Sequence, residues 1–537
     1  MAKKNEKSGN SVSRRDFLKA GGAVAVGVQI GAVAGAGLAA GRDTSTLTGW
    51  QHLGDNTQFV NRKPLEIEGL PYKIVGTTRR CEYVESPFSR SSLVMRATMN
   101  ARRKKQASEE LDTQQSDFVK DIAPEQVQGE SAPVLDHQKQ GPAYPEAHEF
   151  PEPMLGYYKE HPGAYELDKI RMEEILPQRS ENEKKYGTHY KLINAWSSAW
   201  GTSEPITQPP EISDFRIGGG RRSRPIPESV PFKSKKLASE LIKKVTHHFG
   251  ASMVGITKLN PDWCYNHSLR GSKERGSYDV PEHWKYVIAF GVPHQWEQME
   301  SNPGKGTSSD AYSRSTIAAR RLENFIKSLG YAARRHSPMD GYDIIGVPVL
   351  VDAGLGQQGR HGVVITPETG TNFRAGFVTT NMPLEIDKPI DFGVNEFCQD
   401  CKICAEICPS QSISYEKTNE DMTTRGYRHW EINQTTCFNF WMQSMGGMGC
   451  RLCLTACPYS RKNNWAHALA RKIDTDDPTG LVDNALIWNQ KTFFDTPDAS
   501  EFLPPPDGRF ANYHEAPEWL SVEKYLDINT IDPSKGL

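Results

Sequence analysis

The sequence predicts a mixed α/β (α+β) fold that is followed by a separate cysteine-rich domain. Amphipathic helices alternate with short apolar strands between residues 234 and 390, and eight of the ten cysteines lie between Cys398 and Cys457. The chain has 537 residues, of which 37% are hydrophobic and 24% charged. This composition excludes collagen-like, largely disordered and polytopic membrane proteins. The net charge of −2 provides no basic field, so we expect no nucleic-acid partner.

The amino terminus resembles a twin-arginine (Tat) export signal. The string SRRDFLK at 13–19 precedes an apolar run at 20–41 that is rich in Gly and Ala and poor in the Leu, Ile and Phe of a spanning helix. The alternative is an uncleaved amphipathic arm that contains two arginines. We expect residues 1–42 to be removed, with cleavage after Ala36 or near Ala39 and Ala40. That leader holds seven basic and two acidic residues, so the mature chain would carry a net charge of −7.

Residues 43–233 are polar, rich in Pro and Gly, and without sustained periodicity. We expect this region to be partly helical and to wrap around the rest of the protein. Its short basic runs at 102–105 and 221–224 are expected to be solvated surface. Residues 471–537 are rich in Pro and Asp and have few helix signals, which predicts an irregular tail.

Residues 234–390 carry the signals of the predicted core. Ser234 is a favourable N-cap and Gly250 a favourable stop for one helix, whose apolar face would consist of Leu237, Leu241, Ile242, Val245 and Phe249. A second helix is predicted over Thr316–Leu329 and would end at Gly330. Apolar runs predict short strands at Val287–Phe290, Ile344–Val351 and Gly362–Thr366.

The first cysteine motif is Cys398-x₂-Cys401-x₂-Cys404-x₃-Cys408-Pro409, which has the spacing of bacterial two-cluster ferredoxins. A tight loop of this kind can place three thiolates around one face of a cubane iron–sulfur cluster. The fourth cysteine then points toward a second cluster. We therefore expect residues 391–470 to form a bacterial-type, ferredoxin-like domain.

The second motif is Cys437-x₁₂-Cys450-x₂-Cys453-x₃-Cys457-Pro458, in which one cysteine is displaced upstream. Gly446, Gly447 and Gly449 would allow the backbone to pass close to a cluster. Crossed ligation predicts two [4Fe–4S] clusters. The first would be held by Cys398, Cys401, Cys404 and Cys457, and the second by Cys408, Cys437, Cys450 and Cys453.

Zinc sites and disulfides are the alternative uses of eight cysteines. Paired zinc sites usually employ separated C-x-x-C pairs, and disulfides are the default in exported proteins. The Tat pathway, however, carries proteins already folded around their cofactors, so metal-bound thiolates can survive export. Cys81 and Cys264 fit neither motif and are expected to be free, buried structural thiols.

Several strings, taken together in their order and spacing, resemble the respiratory corrinoid/iron–sulfur reductive dehalogenase family. They are the Tat signal, VGI at 254–256 with Trp263 and Tyr265 downstream, AYS at 311–313 with SLGY at 328–331, GLGQQGRHG at 354–362 running into ITPE at 365–368, and TNMPL at 380–384. The resemblance covers the signal and roughly residues 234–460.

This resemblance implies a nitroreductase-like core that binds a corrinoid, a base-off cobamide without a histidine ligand. The D-x-H-x-x-G motif of other cobalamin proteins is absent, and His137, in a near match to it, is expected on the surface. The same resemblance places Trp263, Tyr265, Gly356 and Arg360 among the corrinoid contacts.

The family's activity would be the replacement of a carbon-bound halogen by hydrogen, as the terminal step of anaerobic organohalide respiration. Electrons would pass through the two clusters to a cob(I)amide, while a tyrosine donates the proton and an arginine stabilises the phenolate. The resemblance assigns these roles to Tyr312 and Arg374. The alternatives are an ordinary core or capping tyrosine and a surface salt-bridge arginine, with Arg360 as the next candidate.

A third polar residue of the family pocket, Asn or Lys, is missing from the loop at 334–343. Asp340, Asp343 or His336 would replace it. The substrate, a chlorinated ethene or a halogenated aromatic, therefore stays open.

The resemblance also implies partners: an integral-membrane anchor protein that holds the enzyme peripherally on the outer (periplasmic) face of the cytoplasmic membrane, and a quinone-linked electron donor. A homodimer is a further expectation. Two other functions compete. An exported iron–sulfur electron-transfer subunit would not need so large a core, and an epoxyqueuosine-reductase-like enzyme would act on tRNA in the cytoplasm without an export signal.

Overall fold

The computed structural model describes residues 65–94, 150–186, 192, 195–196, 216–217, 224–266, 269–270, 273–274, 280, 283–300, 302–303, 306–338, 342–443, 449–460, 481–493, 499, 520 and 522–527. Several sequence predictions fall outside these residues, namely the export signal, the basic run at 102–105, His137, Asp340, Gly446 and Gly447. The described residues form a mixed fold of helices and strands, so the predicted α+β class is confirmed.

The helices, in chain order, are α1 Glu152–Glu160, α2 Pro162–Ile170, α3 Leu176–Tyr186, α4 Lys235–His248, α5 Trp296–Glu300, α6 Gly306–Ser328, α7 Gly346–Asp352, α8 Val394–Cys401, α9 Ile403–Glu406, α10 Gln434–Gln443, α11 Leu452–Thr455, α12 Leu481–Phe493 and α13 Val522–Tyr525. Single 3₁₀ turns occur at Tyr83–Glu85, Pro261–Trp263 and Asn419–Asp421, and a π turn at Arg171–Ile175 joins α2 to α3. Among the described residues, no helix is both long and apolar enough to cross a membrane.

The strands are β1 Leu65–Glu66, β2 Lys73–Ile74, β3 Arg216–Ile217, β4 Arg224–Pro225, β5 Met253–Lys258, β6 Leu269–Arg270, β7 Lys273–Glu274, β8 Tyr286–Pro293, β9 Ala333–His336, β10 Gln357–Gln358, β11 Val364–Ile365, β12 Phe373–Thr380, β13 Ile390–Asp391, β14 Thr423–Thr424 and β15 Tyr427–Arg428. Four of them form an antiparallel sheet in the order β5-β8-β12-β9. The other pairs are short, such as β1 with β13 and β10 with β11.

The central strand β8 is packed on both faces, as the short apolar run predicts. Val287 and Ala289 belong to a hydrophobic cluster on one side of the sheet, and Ile288 and Phe290 to a cluster on the other. The successive side chains alternate between these clusters because side chains in a strand point to opposite faces. Its neighbour β12 pairs with it along the whole length, from Phe373 opposite Pro293 to Thr380 opposite Tyr286.

The predicted ends of helix α4 are confirmed, but part of its predicted apolar face is wrong. The Ser234 hydroxyl accepts a hydrogen bond from the Leu237 backbone N–H at 3.2 Å, and Gly250 ends the helix with a φ of 117°. Leu237 and Leu241, however, are 47% and 36% exposed. Of the predicted face, Ile242 is fully buried, and it is joined by Ala238, Ser239 and Thr246. The Ser239 hydroxyl accepts from the backbone N–H of 385 at 2.8 Å and donates to its carbonyl at 3.1 Å.

The predicted strand at Ile344–Val351 is wrong, because this segment forms helix α7. Periodicity alone does not distinguish a short buried strand from a short buried helix. Pro348 falls in the first turn, where its missing N–H leaves no hydrogen bond unmade. Gly346 also lets the helix start against the sheet, since a Cβ there would lie 2.9 Å from the Phe377 ring. The predicted helix over Thr316–Leu329 is confirmed and begins earlier, at Gly306.

The cysteine-rich segments contact both the core and the amino-terminal helices. Arg90 and Arg171 share the carboxylate of Asp168, all three being fully buried. Arg90 donates to the Thr435 hydroxyl and Arg171 to the Asn439 side chain, both at 2.8 Å, and both acceptors lie on α10, the helix of Cys437. In the expected irregular tail, the structure instead forms helix α12, which contacts α8.

Candidate functional site

The two cysteine loops have the same local backbone construction. Lys402 precedes α9 with a φ of 54°, and Arg451 precedes α11 with a φ of 57°. Such left-handed residues are uncommon outside glycine. Each reverses the chain between a cysteine and the following short helix, so that successive thiols turn toward one side. The helices α9 and α11 pack against each other.

Four cysteines line one cavity. They are Cys398, Cys401, Cys404 and Cys457, which is the first set predicted by crossed ligation. Within the described residues, no three His, Cys, Asp or Glu side chains converge closely enough to hold a single metal ion. The four thiols therefore share the wall of one cavity, and a cluster with several iron atoms would use them together.

The second predicted set also behaves as one electrostatic group. Burial, together with the neighbouring charge of Cys408, raises the pKa of Cys437 to about 12. Burial likewise raises the pKa of Cys450, with further contributions from Cys437 and Cys408. Buried thiols of this kind ionise when a metal displaces their protons. The remaining cysteines, Cys81 and Cys264, are buried and free of disulfides, as predicted.

Arg360 lies beneath the first cysteine loop. Its guanidinium donates to the backbone carbonyls of Cys398 at 2.8 Å, Ser414 at 2.8 Å and Lys417 at 2.9 Å, and it stacks on the Trp430 ring at 4.5 Å. These contacts explain how an arginine that is 1% exposed is accommodated. Its predicted corrinoid contact stays a prediction, as does that of Gly356, where a Cβ would lie 2.1 Å from the Ile365 carbonyl oxygen.

The predicted catalytic pair is brought together by the fold. Tyr312 lies on α6 and Arg374 on β12, and the guanidinium carbon of Arg374 is 4.3 Å from the centroid of the Tyr312 ring. A second phenol, Tyr342, has its ring centroid 5.6 Å from the same carbon. Burial opposes the charge of Arg374, but the two tyrosines raise its pKa above the ordinary arginine value. All three side chains are partly exposed, so the pair borders accessible space.

Buried polar atoms without partners lie between this pair and the second cysteine set. Within the described structure, both ring nitrogens of His294, Oδ1 of Asn372, Nε of Arg374 and one terminal nitrogen of Arg451 have no hydrogen-bond partner. Arg451 is close enough to Tyr312, Arg374 and Cys450 for their charges to act on it. Native proteins seldom leave so many buried polar atoms unsatisfied, so this region points to a bound polar group.

The residues predicted to complete the pocket have partners inside the protein. His336 and Asp343 are buried, and Nδ1 of His336 lies 3.4 Å from a carboxylate oxygen of Asp343. The indole N–H of Trp263 donates to Asp352 at 2.7 Å, and its ring contacts those of Tyr72 and Tyr427.

The backbone N–H of Tyr265 donates a hydrogen bond to the Asp343 carbonyl at 3.0 Å. Burial raises its phenol pKa, and the neighbouring Cys81 raises it further. The roles of all these residues toward a substrate or corrinoid stay predictions.

Three residues at the site carry signals that the sequence interpretation did not use. His361 follows Arg360 in a glycine-rich string and reaches the cavity of the first cysteines. Arg451 stands between two cysteines of the second motif, where a charged residue next to the ligands is itself a signal. His294 directly follows the buried strand β8, at the end of the sheet.

Known families match both ends of the chain. The 4Fe-4S dicluster domain matches residues 397–460, and the signal sequence of the twin-arginine translocation pathway matches residues 11–31. The chain therefore contains a 4Fe-4S dicluster domain and carries a twin-arginine export signal. These matches confirm the predicted Tat signal and ferredoxin-like domain. They favour iron–sulfur clusters over the zinc and disulfide alternatives.

Several of the curated relatives are reductive dehalogenases. Over 334 residues the chain is 34% identical to the tetrachloroethene reductive dehalogenase of Sulfurospirillum multivorans, which covers 56% of this chain and 62% of the relative. Over 286 residues it is 30% identical to that of Desulfitobacterium hafniense, covering 45% of this chain and 51% of the relative. Over these matched segments the chain is similar to reductive dehalogenases. The matched segment spans about half the length of these relatives.

More distant similarities lie in two groups. A catabolic reductive dehalogenase solved in complex with 3-bromo-4-hydroxybenzoic acid is 22% identical, covers 62% of this chain and 44% of its own, and has a TM-score of 0.47. The epoxyqueuosine reductase of Lactococcus garvieae is 22% identical over 269 residues, covering 43% of this chain and 71% of that protein.

Proposed function

We propose that this protein is a corrinoid-dependent reductive dehalogenase that replaces a carbon-bound halogen by hydrogen as the terminal step of anaerobic organohalide respiration. The observation that carries the proposal is the contact of Tyr312 with Arg374, 4.3 Å from ring centroid to guanidinium carbon, in a chain whose curated relatives are reductive dehalogenases. The reaction consumes two electrons and one proton and releases a halide ion. The protein must therefore deliver electrons singly, supply the proton and exclude competing donors.

Tyr312 supplies the proton in this proposal. A guanidinium held against a phenol stabilises the phenolate left behind, which makes proton donation easier. Arg374 is positioned for this task by strand β12, where it pairs with Val292 of β8. Tyr342 is held beside the pair by its hydroxyl, which donates to the Ala375 carbonyl at 2.8 Å.

The residues at the end of the central sheet fit a large polar cofactor. The unpartnered atoms of His294, Asn372 and Arg374 would find partners in the carboxamide groups around a corrinoid ring. When bound there, a base-off cobamide would supply the strong, low-potential reductant that attacks the carbon–halogen bond. Burial lowers the pKa of His294 well below its usual range, so its ring is neutral.

Two [4Fe–4S] clusters would supply the electrons. Cys398, Cys401, Cys404 and Cys457 would hold the first, and their shared cavity supports this set. The second would be held by Cys408, Cys437, Cys450 and Cys453. These cysteines are close enough for their charges to shift the pKa values of Cys450 and Cys453. Since Arg451 lies next to Cys450 and also near Tyr312, the second cluster would be the one that faces the catalytic pair.

The substrate and partners follow the family in this proposal. The curated relatives act on tetrachloroethene, and a solved structure holds a brominated hydroxybenzoate, so a chlorinated ethene or a halogenated aromatic is the substrate. An integral-membrane anchor protein would hold the exported enzyme on the outer face of the cytoplasmic membrane, and a quinone-linked donor would reduce it. A homodimer belongs to the same proposal.

Anaerobic reconstitution tests the proposed activity. The chain is loaded with iron, sulfide and a corrinoid, reduced by methyl viologen, and offered haloalkenes and halophenols while halide release is measured. We expect cobalt uptake and halide release, and Tyr312→Phe should retain the metals and lose about two to four orders of magnitude in turnover. Tyr331→Phe, which removes one hydrogen bond to the Val230 carbonyl, is the matched control.

The same experiment separates the other functions. An electron-transfer subunit would take up iron and sulfide but no cobalt, and would release no halide. An epoxyqueuosine-reductase-like enzyme would bind cobalt and reduce the modified tRNA base instead of the halogenated compounds. Either result would overturn the proposal.

A further inference from the structure

His361 forms part of the wall of the cavity that the first four cysteines line. The residue is 2% exposed, and it directly follows Arg360, whose guanidinium is bonded to the Cys398 carbonyl. Neither the proposed proton donation nor the proposed ligand sets gives this histidine a task.

The backbone fixes which ring nitrogen of His361 carries the proton. The N–H of Val363 donates to Nδ1 at 3.2 Å. Since Nδ1 is the acceptor of that bond, a neutral ring must carry its hydrogen on Nε2. Burial without an acidic partner disfavours the imidazolium, so the ring offers one N–H donor, at Nε2.

That donor has no acceptor within the described protein. Nε2 of His361 is buried, and no hydrogen-bond partner lies within reach of it. The ring is also confined by its neighbour, because a Cβ on Gly359 would lie 3.1 Å from its Cε1 atom. Buried N–H groups are nearly always bonded in native proteins, and the cavity that His361 lines is a place where an acceptor from a bound group can lie.

We propose that Nε2–H of His361 donates a hydrogen bond to a sulfur atom of the first iron–sulfur cluster and thereby raises that cluster's reduction potential. A hydrogen bond to cluster sulfur stabilises the more negative, reduced state. His361 is then a positioning and tuning residue, not a catalytic one. The inference rests on the iron–sulfur part of the proposed function and is independent of the corrinoid and of the halogen chemistry.

The second cysteine set differs in the kind of group beside it. There Arg451 places a fixed positive charge next to Cys450 and Cys453, whereas at the first set the arginine, Arg360, is engaged with backbone carbonyls. The reduction potential of the first cluster would then depend on the neutral N–H of His361, and that of the second cluster on the charge of Arg451. A change at His361 should move only one of them.

Paired variants of the full-length protein test the inference. His361→Gln keeps an amide N–H near the position of Nε2, while His361→Asn moves that donor back toward the position of Nδ1. In an EPR-monitored reductive titration of the iron- and sulfide-loaded protein, we expect His361→Asn to lower one cluster potential. A tenfold change in the reduced-to-oxidised ratio corresponds to 59 mV for one electron. His361→Gln should restore most of the wild-type potential.

A spectroscopic readout accompanies the titration. In the protein with ¹⁵N-labelled histidine, pulsed EPR of the reduced first cluster should show a nitrogen coupling and an exchangeable proton that are lost in His361→Leu. Unchanged potentials in His361→Asn at full iron and sulfide content, or equal shifts of both clusters, would overturn the inference. If His361→Leu does not load, the Gln and Asn variants decide. None of these measurements requires a corrinoid, so a failed dehalogenase assay leaves them intact.

Discussion

The guanidinium of Arg374 lies over the ring of Tyr312, with 4.3 Å between its central carbon and the ring centroid. Arg374 comes from the start of strand β12 and Tyr312 from the long helix α6 that packs on it, so only the folded chain joins them. Helix α6 packs on strand β12 along much of its length. The contact therefore joins two packed elements, and its two members can be altered separately.

Replacement of Arg374 is the first prediction. Arg374→Gln removes the positive charge over the Tyr312 ring, and we expect turnover to fall by about two orders of magnitude or more because the phenolate is no longer stabilised. Arg374→Lys retains the charge but loses the planar stacking, and its turnover should be intermediate. Halide release by the reconstituted enzyme measures the effect.

The control for this prediction is Arg428→Gln. That arginine forms a surface pair with Glu420 at 2.6 Å, where the loss of one exposed ion pair costs less than about 1 kcal/mol. Iron and sulfide contents should stay constant in all three variants, and turnover is expressed per bound cobalt so that a change in corrinoid loading is not counted as a change in the reaction. Wild-type turnover in Arg374→Gln would exclude the arginine from the reaction.

Arg451 carries the second prediction. Its buried charge stands beside Cys450 and Cys453, and such a charge favours the addition of an electron to a cluster held there. Arg451→Gln should lower the reduction potential of the second cluster and leave the first unchanged. EPR-monitored redox titration separates the two signals.

Lys402→Gln is the matched control, because Lys402 occupies the equivalent left-handed position before α9. Its ammonium is partly exposed and lies 4.6 Å from the Tyr415 ring centroid, so solvent screens it and its removal should have a smaller effect. A larger shift in Lys402→Gln than in Arg451→Gln would contradict the assignment.

Asp352 predicts how stability depends on pH. Burial raises the pKa of its carboxyl from 3.8 to about 6, against the hydrogen bonds from Trp263 and Tyr72. The folded protein therefore holds this proton more tightly than the unfolded chain. The stabilisation of the folded state by the protonated Asp352 is fully present below about pH 4. It is lost as the pH rises through 6, to a limit of roughly 3 kcal/mol in the free energy of unfolding.

Asp352→Asn tests this sign. The asparagine oxygen can still accept the Trp263 indole N–H, but it does not ionise. The variant should therefore have a higher apparent melting temperature than the wild type at pH 7.5 and nearly the same one at pH 4. Tryptophan fluorescence during thermal unfolding gives both values. If the melting temperatures of variant and wild type differ by the same amount at both pH values, another group is responsible for the pH dependence.

Local spacing explains which parts of the site could be predicted. The cysteines of each loop are close in sequence, so their grouping into two sets follows from the motifs, and the first set does share a cavity. The pairing of Tyr312 with Arg374 came from a family resemblance, because no local pattern links a helix to a strand so far along the chain. His361 was overlooked, since the direction of its free N–H depends on the backbone of Val363.

The same reasoning separates the predicted fold elements from the missed ones. Val287–Phe290 was recognisable because both faces of β8 are apolar. Its partner β12 was missed, since it contains Arg374, two threonines and Gly376. The glycine is needed there because a Cβ would lie 2.4 Å from the Phe290 ring. The packing of β12 against its neighbours thus requires residues, such as Gly376, that are unfavourable in an isolated strand and weaken its sequence signal.

Asp168 carries the last prediction, which concerns the attachment of the amino-terminal helices to the second cysteine set. Its carboxylate is fully buried between Arg90 and Arg171, and these arginines bond α10, the helix of Cys437. Asp168→Ala would leave two buried cations without their counter-charge, which costs about 3–5 kcal/mol.

Because the two arginines would then no longer be held against α10, we expect Asp168→Ala to lose iron from the second cluster before the first. Iron analysis and the EPR signals of both clusters measure this loss during mild heating. Glu183→Ala is the control, since Glu183 pairs with Arg179 on the partly exposed side of α3 and such a pair contributes less than about 1 kcal/mol. Equal loss from both clusters would show that Asp168 acts on the whole fold and not on the position of Cys437.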